Sequence, residues 1–366
     1  MSGPTWQDRV ASRVAEPGEG LSHDELALAA RNHAMPAEAL RWDVTPVGLH
    51  YVLVHYDIPA VDPATWRLRI DGGAGSSVEV SLDDLSAMPC TTVRVTLECA
   101  GNGRALLEPR PVSQPWLTGA VGTADWTGVR LADLLERVEL REDAVDVVFT
   151  GADHGTERGV EQDYARGLPL AEAMRDDVLV ANAMNGQPLP VQHGFPARLV
   201  VPGWYGMAHV KWLTDITVVD HTFDGFQHRA YRLRQHPDEV GVPVTRISPR
   251  ALVQPPGFPD FMTRERVMRP GRVRLTGRAW SGHAEIDRVE VSTDDGATWA
   301  DGELAPSAGT YAWRAFGLDW DATPGEHVLR ARATDAAGNV QPTEALWTRG
   351  GFTNTGGDAV RVHVTG

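Results

Sequence analysis

The sequence predicts an α+β fold in which a mixed α+β domain is followed by an all-β immunoglobulin-like sandwich. Its 366 residues fit two domains. Up to residue 243, short β-branched stretches alternate with a few short helical patterns. After residue 243 the sequence contains strand-like runs and no helical pattern. The 37 glycines and 25 prolines supply the turns that many short strands need. We therefore expect a polar arm over 1–28, a first domain over 29–243 and a sandwich over 244–366.

The first domain is predicted from apolar, β-branched runs of strand length. These runs cover 51–54, 66–70, 91–97, 145–149, 199–201 and 216–219. A helix is predicted over 81–88, because its opening Ser-x-x-Asp is similar to a capping box. Apolar residues recur at spacings of three and four over 129–138, which predicts a second helix. Few, short helices favour a mixed sheet over a regularly alternating doubly wound one.

The second domain begins after a proline-rich link that contains Pro249, Pro255, Pro256 and Pro259. No helical period follows. Strands are predicted over 272–278, 286–292, 311–316 and 327–333. The strings Asp-Asp-Gly at 294–296 and Ala-Gly-Asn at 337–339 are typical of hairpin turns. Roughly seven strands in this length predict an immunoglobulin-like sandwich.

Composition excludes several classes of protein. Lysine and arginine total 34 against 49 acidic residues, and a net charge of −15 disfavours binding to nucleic acid. Only two cysteines, Cys90 and Cys99, are present, too few for a disulfide framework. The N-terminus is polar and no apolar run approaches a membrane span, so we expect no membrane association. A cytoplasmic location is expected, or a periplasmic one if a leader was removed.

Cys99 carries the first chemical signal. It directly follows a predicted strand, within the string Thr-Leu-Glu-Cys-Ala-Gly-Asn-Gly-Arg at 96–104. A cysteine beside two glycines and an arginine suits a nucleophile or a ligand to a soft metal. The alternative is a buried structural thiol. The Gly-Asn-Gly step lacks the third glycine of a dinucleotide loop, which disfavours a nicotinamide site.

Several histidines suggest a different site, for zinc or iron. They are His193, His209, His221, His228 and His236. Their spacing matches neither a His-x-x-x-His helix nor a facial triad well. A second metal is therefore disfavoured.

The string at 96–104 resembles the active-site loop of the sulfite oxidase family of molybdenum enzymes. Other strings that resemble the family's motifs follow in the same order. They are Arg31-Asn32-His33 and the segments 116–120, 184–190, 193–198, 202–203, 210–213, 227–231, 280–282, 338–342 and 347–350. The resemblance covers nearly everything from residue 29 to residue 364, and the ordered set is far more specific than any one motif.

The resemblance implies a set of site residues. Cys99 would be the single protein ligand to molybdenum, since a thiolate suits a soft metal. The planar guanidinium group of arginine can form paired hydrogen bonds to an oxyanion, and Arg31, Arg104 and Arg349 would hold the substrate in this way. The implied catalytic set is Cys99, Tyr231, Arg31, Arg104, Arg349 and Trp116. The implied molybdopterin-binding set is Arg31, Asn32, His33, Cys99, Asp153, His193, Arg198 and Lys211.

The activity that the resemblance implies is oxidation of sulfite, a small oxyanion, to sulfate. No haem motif or fused haem or flavin domain is visible, so a separate acceptor such as a cytochrome or oxygen is expected to take the electrons. The sandwich is expected to form a homodimer. The alternatives are another sulfur or nitrogen oxyanion, a sulfane sulfur, or a non-catalytic binding protein.

Overall fold

A computed structural model describes residues 13–366, so residues 1–12 of the predicted arm lie outside the described residues. The predicted fold class is confirmed: a mixed α+β part precedes an all-β part. Its α-helices are short. They are α1 His23–Arg31, α2 Leu82–Ala87, α3 Leu131–Leu135, α4 Leu170–Ala173 and α5 Phe226–Ala230. Single 3₁₀ turns cover Ala37–Arg41, Val47–Leu49, Arg104–Leu106, Val191–His193 and Gly206–Ala208.

The first part contains two five-stranded sheets and one short hairpin. Its strands are β1 Arg67–Asp71, β2 Ser77–Ser81, β3 Thr91–Glu98, β4 Val121–Arg130, β5 Asp146–Glu157, β6 Val160–Pro169, β7 Leu179–Met184, β8 Gln187–Pro188, β9 Arg198–Val200, β10 Leu213–Val219, β11 Arg232–Leu233 and β12 Val242–Pro243. One sheet has the order β2-β1-β10-β5-β6, and only β1 and β10 pair in parallel there. The other has the order β3-β4-β7-β8, with β9 also on β7. Their packed faces bury aliphatic and aromatic side chains.

The second part is a sandwich of a four-stranded and a six-stranded sheet. Its strands are β13 Arg250–Val253, β14 Phe258–Pro259, β15 Arg266–Met268, β16 Gly271–Trp280, β17 Ile286–Ser292, β18 Ala300–Asp301, β19 Glu303–Leu304, β20 Arg314–Ala322, β21 Gly325–Asp335 and β22 Val360–Val364. The sheet orders are β13-β16-β20-β19 and β14-β15-β22-β21-β17-β18. Alternating apolar residues from both sheets fill the core between them.

Three elements differ from the predictions made from sequence. The run 51–54 is wrong as a strand: only Val52 pairs, in an isolated bridge with His33. The helix predicted over 129–138 is shorter, Leu131–Leu135. Residues of the predicted polar arm form α1, because a capping box joins Ser22 to Glu25. Within the described residues no helix has the length and apolarity needed to cross a membrane.

A buried ionic network joins the two parts beneath the Cys99 loop. Arg250, on the first strand of the sandwich, donates to Glu98 at 2.8 Å and to Asp358 at 2.7 Å. The indole N–H of Trp280 donates to the second oxygen of Glu98 at 2.8 Å. All three ionised groups are at most 8% exposed, so each carboxylate depends on Arg250 for charge compensation.

Candidate active site

Two cavities meet at Cys99. The inner cavity is lined by His50, Tyr51, Val52, Leu53, His55, Leu97, Cys99, Ala100, Asp153, Tyr164, Gln192, His193, Arg198, Gly206, Met207, His209, Lys211 and Tyr231. The outer cavity, of about 580 Å³, is lined by residues that include Arg31, Asn32, Arg104, Gln114, Trp116 and Arg158. Both are lined by Leu53, His55, Cys99 and Tyr231. A ligand of Cys99 would therefore face an enclosed region on one side and an opening on the other.

Strand β3 and the turn after it hold Cys99 in place. The Cys99 N–H donates to Ala120 O at 2.9 Å, and its carbonyl accepts from the Asn102 N–H at 2.9 Å. Gly103 turns the chain with φ of 88°, a conformation that favours glycine. Burial raises the pKa of the Cys99 thiol, and the charge of Arg104 opposes that rise. The loop therefore fixes a buried thiol beside a cation.

The inner cavity gathers polar groups whose hydrogen-bonding capacity is only partly used. Asp153 Oδ1, His193 Nε2 and Arg198 Nε are buried without a hydrogen-bond partner in the described residues. Lys211 Nζ donates to the carbonyls of Leu53 at 2.8 Å and Gln192 at 3.0 Å. Buried polar atoms without partners are costly, so the cavity has the donors and acceptors of a site for a polar ligand.

Burial shifts the pKa of these inner groups toward their neutral forms. It raises the pKa of Asp153 to about 6, and it lowers the pKa of His193 to about 2 and of Lys211 to about 7. Lys211 is the single lysine in the sequence. An anion bound beside Lys211 would favour the charged form of its amine again.

The outer cavity presents one buried guanidinium to Cys99. Arg104 donates from Nε to Gly350 O at 2.9 Å and from Nη1 to Gln114 O at 3.0 Å. Within the described residues its Nη2 has no hydrogen-bond partner. The indole N–H of the buried Trp116 is likewise unpartnered in that part of the chain. These donors are available to an anion near the thiol.

The hydroxyl of Tyr231 is hydrogen-bonded to a half-buried histidine, His55. That hydroxyl lies 2.9 Å from His55 Nε2, and the Tyr231 ring stacks on Phe352 with centroids 4.9 Å apart. Burial lowers the pKa of His55 to about 3, so that ring is neutral near pH 7. Burial also raises the pKa of Tyr231 well above its usual range, so both groups are neutral and share one hydrogen bond at the junction of the cavities.

Four predicted site residues have other surroundings. Arg31 lines the outer cavity, but its guanidinium donates to the carbonyls of residues 54–56 at 2.9 to 3.3 Å. Asn32 donates to Gln114 and accepts from the Val54 N–H, both at 2.8 Å. His33 is exposed, and neither His33 nor Arg349 lines either cavity. The Arg349 N–H donates to Arg234 O at 2.8 Å, outside the site.

Sequence reasoning missed several lining residues. They are His50, Tyr51, His55, Tyr164, Gln192 and Arg158. Three of them, His50, Tyr51 and His55, flank or belong to the run 51–54, whose apolar character suggested a strand. The histidines at both ends of that run were the available signal, because an imidazole beside a buried segment needs a partner.

Both parts of the chain match known families. Residues 55–227 match the family described as "Oxidoreductase molybdopterin binding domain". Residues 259–365 match the family described as "Mo-co oxidoreductase dimerisation domain".

Whole proteins are similar as well. Mitochondrial sulfite oxidase of Homo sapiens is 35% identical over 387 residues, which cover 98% of this chain and 70% of the human protein. NADH nitrate reductase of Ulva prolifera is 31% identical over 93% of this chain and 43% of its own length. Among solved structures, the sulfane dehydrogenase SoxCD from Paracoccus pantotrophus has a TM-score of 0.79 at 26% identity. That match covers 99% of this chain and 93% of the SoxCD chain.

Proposed function

The chain belongs to the sulfite oxidase family of molybdopterin-dependent oxidoreductases, and from this premise we propose that it oxidises sulfite to sulfate. The observation that carries the proposal is the position of Cys99. Its thiol lies between a set of buried, unpartnered polar groups and an arginine-bearing opening. The net reaction adds one oxygen atom from water to sulfite and releases two protons and two electrons.

The inner cavity has the chemistry to hold molybdopterin. Asp153, His193 and Arg198 would bind it through atoms that have no partner in the described residues, and Lys211 would bind its phosphate. Cys99 Sγ would be the protein ligand of molybdenum. When bound, the cofactor supplies a two-electron redox centre that transfers an oxygen atom to sulfur.

The residues of the outer cavity would bind and orient the anion. Arg104 offers a buried guanidinium, and burial strengthens its attraction for an anion next to Cys99. Trp116 would form one wall of the binding position. Tyr231, positioned by its hydrogen bond with His55, would present a neutral hydroxyl to the substrate oxygen atoms.

Electrons would leave one at a time to a separate acceptor, such as a cytochrome or oxygen. The chain would act as a homodimer assembled mainly through residues from 245 onward, which include the matched dimerisation domain. Light scattering of the full chain at micromolar concentration tests the dimer. A mass near twice 39.8 kDa supports it, and a mass of one chain overturns it.

A sulfane sulfur is the second candidate substrate. A cavity of about 580 Å³ is much larger than a sulfite ion needs, and SoxCD is a sulfane dehydrogenase. The residues of the outer cavity would bind this substrate as well, because its sulfane sulfur would approach Cys99 through the same cavity.

Stopped-flow reduction of the molybdenum-loaded protein separates these candidates. The oxidised protein is mixed without oxygen with sulfite, with thiosulfate or with buffer, and the cysteine-to-molybdenum charge-transfer absorbance is followed. We expect rapid bleaching with sulfite. Bleaching with thiosulfate alone would favour the sulfane substrate. A protein with one molybdenum and one pterin per chain that neither compound reduces would contradict both.

A further inference from the structure

Among residues 13–366, Arg158 is a cation with no counterion at the opening of the outer cavity. It lines that cavity together with Cys99, Arg104 and Tyr231. Within the described residues its side chain makes neither a hydrogen bond nor an ion pair. Many other exposed arginines of this acidic chain have a carboxylate partner, as Arg69 has in Asp71. Arg158 is therefore free to bind an anion that arrives from solvent.

The backbone at Arg158 is unfavourable for an arginine. Residues 158 and 159 form a two-residue turn between the paired residues Glu157 and Val160, with φ of 51° and 78°. Turns with two positive φ angles favour Asn-Gly, and a long side chain in the left-handed region is strained. Gly159 meets the preference and Arg158 does not. Arg158 departs from the residue preference of this turn and makes no stabilising contact within the described residues. Such departures are expected at functional sites.

The charges around the opening are favourable to an anion. Arg104 lies deeper in the same cavity, and its pKa is lowered chiefly by burial and also by the charge of Arg158. The cavity is lined by four arginines, Arg13, Arg31, Arg104 and Arg158, against three carboxylates, Asp24, Glu25 and Glu157. Glu25 is paired with Arg110, Glu157 accepts from the neutral Gln227 at 3.3 Å, and Asp24 has no ion pair within the described residues, so the lining keeps an excess of positive charge. Two cations in series thus lead from solvent toward Cys99.

We propose that Arg158 captures the anionic substrate at the opening of the outer cavity and passes it to Arg104. This inference rests on the proposed oxidation of an anion at Cys99. Arg158 takes no part in the redox step. It determines how often an anion enters, so its contribution falls as salt screens the charge.

The test is Arg158→Asn in the loaded, full-length enzyme, with Arg158→Lys as the charge-conserving variant. Asparagine suits the turn, so we expect an unchanged or higher melting temperature. At low ionic strength kcat/KM for sulfite should fall about two- to fivefold with kcat unchanged, which is the range of one exposed charge contact. The dependence of kcat/KM on salt should also weaken. Lysine should restore most of both.

Arg264 supplies the matched control. It is exposed, also has a positive φ of 62°, and lies in the sandwich outside both cavities. Arg264→Asn makes the same change of charge and side chain, and it should leave kcat/KM at the wild-type value. If Arg158→Asn keeps the wild-type kcat/KM and salt dependence, or if Arg264→Asn loses as much, the capture role is wrong.

Calorimetric titration with sulfate separates this inference from the proposed reaction. Sulfate is the product of the proposed reaction and a stable dianion, so its binding can be measured without turnover. Weaker sulfate binding to Arg158→Asn than to Arg264→Asn supports capture even if sulfite fails to reduce the enzyme. Equal binding by the two variants overturns capture even if sulfite is oxidised.

Discussion

The inner and outer cavities share Cys99 but hold charge in different ways. Around the inner cavity, Asp153 and His193 are buried and Lys211 is half-buried, and loss of solvation shifts the pKa of each so that its neutral form is favoured. Around the outer cavity, Arg104 and Arg158 remain cationic, because guanidinium groups do not deprotonate in proteins. The polar groups of the inner cavity need a permanently bound ligand to satisfy their hydrogen bonds. The arginines of the outer cavity can bind anions from solvent and release them again.

The most severe test changes Cys99, one of the four residues that line both cavities. Cys99→Ser should abolish sulfite oxidation, because a hydroxyl is a much poorer donor to molybdenum than a thiolate. Pterin content, measured by fluorescence after denaturation, should stay near the wild-type level because the inner groups are intact. Cys90→Ser, a change at an exposed thiol, is the control. Substantial turnover by Cys99→Ser would contradict the ligand assignment.

A change in the outer cavity should affect substrate alone. Arg104→Met should raise KM for sulfite about ten- to hundredfold, because a charge-assisted contact of roughly 1.5 to 3 kcal/mol is lost. Pterin content should not change. Arg69→Met, at an exposed arginine on β1, should leave KM unaltered. Loss of pterin with Arg104→Met would show that the two cavities are not separate in function.

A change in the inner cavity should have the opposite signature. Lys211→Met should lower pterin content about tenfold at limiting cofactor, through the loss of one charge-assisted contact. KM of the loaded fraction should be unchanged. Because Lys211 is the single lysine, an amine reagent should label the side chain in cofactor-free protein and spare it in loaded protein. Equal labelling of both forms would place the phosphate elsewhere.

The smallest effect is expected at Arg349, which lines neither cavity. Arg349→Met should change KM for sulfite by less than about twofold, within the range of exposed charge contacts. Steady-state kinetics of Arg349→Met and Arg104→Met, measured side by side, compare the KM for sulfite of the two variants. A tenfold rise would restore the role expected from sequence.

The fold was predictable where local signals decide it. Strand β3 and helix α2 follow from β-branched residues and a capping box, both read within a few residues. The run 51–54 failed because its apolar side chains are buried by tertiary packing, while its backbone is bonded mainly through Asn32, His33 and Arg31. The pattern of apolar residues predicts which side chains are buried, but it does not predict which backbone groups form hydrogen bonds with each other.

The site was predictable in its ordered motifs and less so at isolated arginines. Cys99, Asp153, His193, Arg198 and Lys211 line the inner cavity as a set. At 349–350, by contrast, the sequence cannot show that the Gly350 carbonyl accepts from Arg104 while Arg349 lines neither cavity. Arg158 escaped notice because an arginine in a hairpin turn is usually only a solvated surface residue.

The network of Glu98, Arg250 and Asp358 sets an order for biosynthesis. Glu98 immediately precedes Cys99, yet its compensating cation is encoded 152 positions later. Asp358 follows near the end of the chain. During synthesis the first part can collapse while Arg250 is still unmade, but the floor of the Cys99 loop then holds an uncompensated carboxylate. The floor of the Cys99 loop is therefore complete only after both Arg250 and Asp358 have been synthesised, near the end of translation.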